Sequence, residues 1–128
     1  MPVWPRQPLA LAMMDIDHFK QINDRFGHAT GDEALLVFAR TARETLRAHE
    51  TVGRLGGEEF AIVLPGTDLA GALQAAERLR QAVRETAVIT SGTPYTMTVS
   101  IGVVVLDPNE TLGMGLARAD HALYAAKS

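Results

Sequence analysis

Thr51-Val52-Gly53-Arg54-Leu55-Gly56-Gly57-Glu58-Glu59-Phe60-Ala61-Ile62-Val63-Leu64 is the stretch on which the fold turns. Two short runs of strand character flank a Gly-Gly pair, which is the pattern of a β-hairpin. Glycine at the turn accepts positive φ and lets a ligand come close to the main chain. Glu58 and Glu59 follow at once, and two adjacent acids gain nothing from packing on a strand. The hairpin is therefore expected to carry two carboxylates at its tip. There they read either as solvated turn charge or as part of a site.

Upstream of the hairpin, Leu9 to Met14 is continuously apolar and stops at Asp15-Ile16-Asp17. That is the pattern of a central strand covered on both faces, although periodicity alone does not separate it from a buried helix. His18 to Phe26 follows as a short helix, with Asp17 its expected N-cap and Gly27 its stop. Thr30-Gly31-Asp32-Glu33 matches a capping box, and Leu35, Phe38, Ala39, Ala42 and Leu46 continue at helical spacing. Downstream, Thr67 or Asp68 begins a helix with one stripe of Leu69, Leu73, Ala76, Leu79 and Val83. Tyr95 to Leu106 alternates Met97, Val99, Ile101, Val103 and Val105 with smaller or polar residues, which predicts one strand with one core face. A last helix carries Leu112, Leu116, Ala119, Leu123 and Ala126, and the four phenylalanines, Phe19, Phe26, Phe38 and Phe60, read as core.

The order strand, helix, helix, strand, strand, helix, strand, helix predicts an α+β sandwich of ferredoxin-like type, a mostly antiparallel sheet flanked by helices. In such a sheet the end of the first strand and the hairpin tip can be neighbours, which would bring Asp15 towards Glu58. Gathered carboxylates repel unless cations neutralise them. Hard oxygen ligands without cysteine favour Mg²⁺ or Mn²⁺, and two such ions suit phosphoryl transfer.

With 128 residues and 47% hydrophobic content, the chain is enough for one core and too short for two. Residues 9–128 read as the domain, and Met1 to Pro8, with its three prolines, reads as a leader or linker without a signal-peptide core. A net charge of −3 offers no basic field to a nucleic acid polymer or an anionic membrane. No apolar run approaches bilayer length, and the absence of cysteine fits a soluble cytoplasmic domain.

Four segments stand together in order: Asp15-Ile16-Asp17-His18-Phe19-Lys20-Gln21-Ile22-Asn23-Asp24, Gly27-His28-Ala29-Thr30-Gly31-Asp32, Gly56 to Phe60, and Ala119-Asp120-His121-Ala122-Leu123-Tyr124-Ala125-Ala126-Lys127. Together they resemble the GGDEF family of diguanylate cyclases, in its GGEEF variant, from Pro8 to Ser128. The resemblance implies a nucleotidyl-cyclase palm with an active-site hairpin. It also implies condensation of two GTP to cyclic di-GMP and two pyrophosphates by a homodimer that faces two half-sites together. It makes Asp15, the carbonyl of Ile16, Glu58 and Glu59 the ligands of two Mg²⁺ or Mn²⁺ ions, and Glu58 and Glu59 the catalytic pair. Neighbouring strand residues point to opposite faces, so only one of Glu58 and Glu59 can share Asp15's side cleanly. Asp17, His18, Phe19 and Lys20 would receive phosphate oxygens at a helix start, and Lys127 would reach the γ-phosphate. Asn23 and Asp32 would read guanine, since an amide and an acceptor-only carboxylate match its edge. Gly56 and Gly57 would leave room for the nucleotide.

Each residue alone has a plainer reading. Asp17 is the residue type of a helix cap, Asp32 favours a helix start, and Lys127 suits a helix end. Only the joint pattern points to a site. The chain departs from the family at both ends: Met1 to Gln7 carries nothing like the usual D-x-L-T-G-L-x-N-R segment, and no G-R-N follows Lys127. The domain is therefore expected to be shortened at both ends, with a sensory domain in its parent. Arg47-Ala48-His49-Glu50 stands where the family's inhibitory product site has R-x-x-D, and Arg78 matches an arginine that completes that site from a neighbouring subunit. The longer glutamate is expected to weaken cyclic di-GMP binding there. The rival reading is a silent module that binds cyclic di-GMP or GTP without turnover.

Overall fold

An unbroken apolar strand survives in a folded protein only if both of its faces are covered. The first strand, β1 (Leu9–Ile16), meets that condition. Ala10, Ala12, Met14 and Ile16 enter one buried cluster, while Leu11 and Met13 enter a second on the opposite face. This is a computed structural model describing residues 7–90 and 93–127. Of the expected leader, only Gln7 and Pro8 lie within them.

The hairpin forms as its sequence predicts. Strands β2 (Thr51–Gly56) and β3 (Glu59–Pro65) pair antiparallel, with a register shift between Arg54 and Gly56. Strand β3 then pairs antiparallel with β1 from Leu9 opposite Pro65 to Asp15 opposite Glu59. The other edge of β1 is taken by a later strand, Val99–Val105, from Ala10 opposite Val105 to Ile16 opposite Val99.

Two helices fill the connection between β1 and β2. The first, α1 (Phe19–Phe26), ends at Gly27, whose φ of 92° turns the chain, and α2 (His28–Thr45) begins immediately. A third helix, α3 (Leu69–Glu85), starts after Asp68, the second of the two expected starts, whose carboxylate accepts the Gly71 N–H at 2.8 Å as its N-cap. Helices α2 and α3 cover one face of the sheet through Ala34, Phe38, Ala72, Leu79 and Val83. Phe38 and Phe60 meet there with ring centroids 4.6 Å apart. Two further strands, β4 (Ala87–Thr90) and β5 (Thr93–Thr96), form their own antiparallel pair. Val99–Val105 is then β6, and α4 (Leu112–Lys127) covers the second face with Ala119 and Leu123. The sheet order is β2-β3-β1-β6, antiparallel at every junction. It is the expected ferredoxin-like α+β sheet, flanked by helices on both faces. No helix among the described residues is long and apolar enough to cross a membrane.

Several local expectations are corrected. The first helix begins at Phe19 with His18 as N-cap in the left-handed region (φ 57°), so Asp17 does not cap it. The second helix starts at His28, ahead of the supposed capping box, and Thr30 Oγ1 instead donates to the Phe26 carbonyl at 3.1 Å. The α3 stripe holds at Leu79 and Val83 but is rotated in its first half: Ala72 and Ala75 are buried while Leu69 and Leu73 are about half exposed (51% and 53%), because small side chains allow close approach to the sheet. Leu112 is likewise 49% exposed. Tyr95 to Leu106 is two strands rather than one, broken at Met97-Thr98, and the β4–β5 pair went unpredicted. In β6, Val99 belongs to one cluster and Val104 to the other, so this strand too is packed on both faces. Phe26 is 37% exposed and stacks on Tyr95 (centroids 5.2 Å apart) rather than entering the core.

Candidate functional site

Asp15 is the last but one residue of β1, on the face covered by α4, and only 8% of it is exposed. A carboxylate buried to that degree requires a partner. Lys127, at the end of α4, donates from Nζ to both Asp15 oxygens at 2.8 Å. Partial burial pulls the Lys127 ammonium down, but the Asp15 hydrogen bonds and the charges of Asp15, Asp17 and Glu58 outweigh it and hold its pKa above the ordinary lysine value. Lys127 thus stands amid three carboxylates.

The position of α4 depends on Gly102 in β6. A Cβ built there would fall onto the α4 backbone at Ala119 and Leu123. Glycine lets the helix lie against the strand, and that closeness carries Lys127 over Asp15.

Beside this pair lies a cleft of about 470 Å³, lined by Ile16, Asp17, His18, Phe19, Lys20, Glu58, Ser100 and Lys127. Eight sequence-predicted residues therefore meet, Asp15 included through its bond to Lys127. The hairpin tip supplies Glu58, after Gly57 has turned the chain at φ 52°. Gly57 is also tied back by its carbonyl, which accepts from Arg54 Nε at 2.9 Å. A Cβ at Gly56 or Gly57 would meet nothing within 4 Å, so the tip borders open space. Glu59 stands directly opposite Asp15 in the ladder, and facing residues of an antiparallel pair share a face. Glu59 is exposed and does not line the cleft.

Asp17 does more than the sequence reveals. Its carboxylate accepts from Thr98 Oγ1 at 2.7 Å and Ser100 Oγ at 2.6 Å, and its N–H donates to the Thr98 carbonyl at 2.9 Å. Its amide is thus committed within the protein, which removes it from the expected phosphate donors. The first turn of α1 supplies the others, ahead of the first bond from Ile22 N–H to the His18 carbonyl. Thr98 and Ser100 were missed. Their only signal was a hydroxyl-bearing alternation in a strand whose partner was unknown.

The residues expected to read a base lie further along α1 and α2. Asn23 is half-buried, with its side chain against Gly31. Asp32 is exposed and borders a second cleft of about 350 Å³ whose walls include Leu35, Ala39, Val52, Arg54 and Phe60. The remaining predicted cluster is at the far end of α2. Glu50 accepts the Arg47 N–H at 2.7 Å and lies 3.6 Å from Arg78 of the same chain. Arg78 Nη2 is buried without a hydrogen-bond partner among the described residues.

The donors around Asp15 suit a hard divalent ion in kind: carboxylates of Asp15 and Glu58 and the main chain at Ile16, with no thiolate. Although Lys127 has three carboxylates around it, no group of three or more acid or histidine side chains placed to hold one metal ion is found among the described residues. Lys127 neutralises Asp15 in its place, so the donor set fits an ion once the ammonium withdraws.

An antiparallel sheet that brings an acid-tipped hairpin beside a carboxylate ending its central strand defines the nucleotidyl-cyclase palm class. The chain belongs to the GGDEF family: residues 4–128 match the family model described as diguanylate cyclase, GGDEF domain. It is 44% identical over 119 residues to diguanylate cyclase DgcP of Pseudomonas aeruginosa, covering 93% of this chain and 18% of that protein. Among solved structures it resembles the diguanylate cyclase SiaD of Pseudomonas aeruginosa, crystallised with its activator SiaC, at TM-score 0.91 and 43% identity over 94% of this chain and 46% of that one. It also resembles the active GGEEF domain of a diguanylate cyclase from Vibrio cholerae, at TM-score 0.85 and 38% identity over 94% of this chain and 77% of that one.

Proposed function

We propose that this domain condenses two GTP molecules into cyclic di-GMP and two pyrophosphates, as a homodimer in the cytoplasm. The observation that carries this reading is the Lys127–Asp15 contact at the cleft that Glu58 also lines. Asp15, the Ile16 carbonyl and Glu58 would hold two Mg²⁺ or Mn²⁺ ions, with Glu59 a further ligand from the same face as Asp15. Bound there, such ions would polarise the α-phosphate and acidify the attacking hydroxyl.

The chain's own residues do the rest. The Phe19 and Lys20 amides, with His18 at the turn and the Lys20 ammonium beyond, receive phosphate oxygens at the positive end of α1. Lys127, released from Asp15, pairs with the terminal phosphate. Asn23 and Asp32 hold the guanine edge, and Gly56 and Gly57 keep the tip clear. The 3′-oxygen of one nucleotide bonds to the α-phosphorus of the other while the bond to pyrophosphate breaks, and Glu58 takes the hydroxyl proton. Each domain holds one nucleotide, so a second copy must face the first. In the parent protein a sensory domain would set that encounter. Neither a nucleic acid polymer nor a membrane is a partner of this domain.

The Arg47, Glu50 and Arg78 cluster is proposed as the remnant of a product site. Glu50 is already engaged by the Arg47 amide and the Arg78 guanidinium, so cyclic di-GMP should bind weakly there. Calorimetry with cyclic di-GMP checks this: tight binding lost in Arg47→Ala would contradict it. For the reaction itself, the domain and a parent that dimerises are incubated with GTP and Mg²⁺, and the products are read by mass spectrometry. Cyclic di-GMP should form, and Glu58→Ala should abolish it without unfolding the protein. No product from the dimeric parent would overturn the enzyme reading.

A further inference from the structure

Gly31 is a buried glycine inside an α-helix, where glycine costs about 1 kcal/mol relative to alanine. Neither a turn nor a positive φ calls for it, since Gly31 is absent from the positive-φ residues. Its reason lies on the facing helix. A Cβ built on Gly31 would fall onto the side-chain Oδ1 of Asn23 and lie 2.8 Å from its Cγ. The amide of Asn23 thus occupies the space that any other residue at position 31 would fill. Asp32 is the next residue along the chain.

We propose that Gly31 is a specificity-determining positioning residue: by lacking a side chain it seats the Asn23 amide beside Asp32, so that both meet one purine edge. The inference rests on the proposed reading of guanine by Asn23 and Asp32. The obstacle to a methyl group is the end of a flexible side chain, not backbone. Gly31→Ala therefore turns Asn23 away while α2 keeps its helix and gains propensity. The loss falls on base recognition, because a site built to hydrogen-bond a group discriminates strongly only while its polar atoms are in register. Backbone N–H groups and lysines that hold phosphates are untouched, so binding common to all nucleoside triphosphates is retained.

The test is a double-mutant cycle on the whole chain, with GTP and ATP affinities measured by calorimetry in Mg²⁺ and thermal unfolding followed in parallel. Asn23→Ala should cut the GTP-over-ATP preference about tenfold or more, as expected for losing one hydrogen bond in a polar site. Gly31→Ala should cut it by a similar factor with ATP affinity unchanged, and should add nothing in the Asn23→Ala background. If Gly31→Ala lowers the melting temperature, Asn23→Ala should restore it, since the clash is removed. An unchanged preference in Gly31→Ala with loss in Asn23→Ala overturns the role of Gly31 and leaves guanine reading intact. An unchanged preference in Asn23→Ala overturns the guanine reading itself. Equal losses from Gly31→Ala in both backgrounds show that it acts through something other than Asn23, which also overturns the proposal.

Discussion

Helix α4 is tied to the sheet at two places by charge, and the two ties are built differently. Near its start, Arg118 forks onto Glu110, from Nε at 2.6 Å and Nη2 at 2.7 Å, and Nη2 also donates to the Val105 carbonyl at 2.7 Å. Glu110 in turn accepts the Asp107 N–H at 3.1 Å. Donors and acceptors there satisfy one another in a planar bidentate geometry suited to guanidinium and carboxylate. At its end, Lys127 offers one ammonium to a carboxylate that is 8% exposed and beside an open cleft. An ammonium is a point charge on a flexible stem, and another cation can replace it. The first tie is a clasp, and the second is a single exchangeable contact at the edge of a cleft.

The sharpest way to break that contrast is to neutralise the acid at each end. Asp15→Asn should lower cyclic di-GMP formation by about 10²–10³-fold, the usual cost of removing one charge-stabilising group from a reacting centre. Glu110→Gln should leave it unchanged. Initial rates with GTP and Mg²⁺ check both, and equal losses in the two variants would erase the distinction between clasp and site.

Gly102→Ala strikes both ties at once, because the new methyl meets α4 backbone at Ala119 and Leu123 rather than a side chain that could turn aside. Overpacking of this kind costs about 1–3 kcal/mol. The urea midpoint should fall, and activity should fall with it as Lys127 is carried away from Asp15. A variant with a lowered midpoint and full activity would show that α4 does not set the site.

The two ties also differ in how far the sequence disclosed them. Asp15 and Lys127 were each legible from motifs, yet their contact spans 112 positions and depends on Gly102, whose packing no local pattern announces. The β1 run, the hairpin and the start of α3 were readable because their signals are local: apolar continuity, paired glycines, a Thr-Asp pair ahead of an apolar stripe. Asp17 looked like a cap by the same logic. It was not, because His18 took the left-handed cap position and two distant hydroxyls, on Thr98 and Ser100, claimed the carboxylate. The second half of the α3 stripe held, with Leu79 and Val83 buried, but its first half failed, since Ala72 and Ala75 are buried in place of Leu69 and Leu73, which hydropathy favours.

Replacing each cation by methionine gives a finer test. Lys127→Met removes the ammonium that competes for Asp15, so nucleotide-free protein should hold Mn²⁺ about fivefold more tightly, the scale of one partly exposed ion pair. The KM for GTP should rise in the same variant, as the terminal phosphate loses its partner. Arg118→Met should change neither. Mn²⁺ titration followed by paramagnetic relaxation reads the first effect, and unchanged Mn²⁺ affinity in Lys127→Met would mean that the ammonium does not guard the carboxylate.

The smallest effect distinguishes the ties by pH. The Arg118 hydrogen bonds, with the Asp107 N–H, hold the Glu110 carboxyl down at about 2 against an ordinary 4.5. A depressed acid stabilises the fold above its unfolded pKa, and that contribution is lost as pH falls from 4.5 towards 2. Lys127 has the opposite sign: its pKa is raised, so its contribution is complete below the ordinary 10.5 and is lost only as pH rises beyond that value. Acid therefore loosens the start of α4 and base its end. Stability measured by urea unfolding should decline less steeply in Glu110→Gln than in the parent between about pH 4.5 and 2. Differencing the two proteins removes the titration of the other carboxylates, which both share. Parallel slopes over that window would show that Glu110 carries no native-state shift, and the clasp would then be no stronger than an ordinary surface pair.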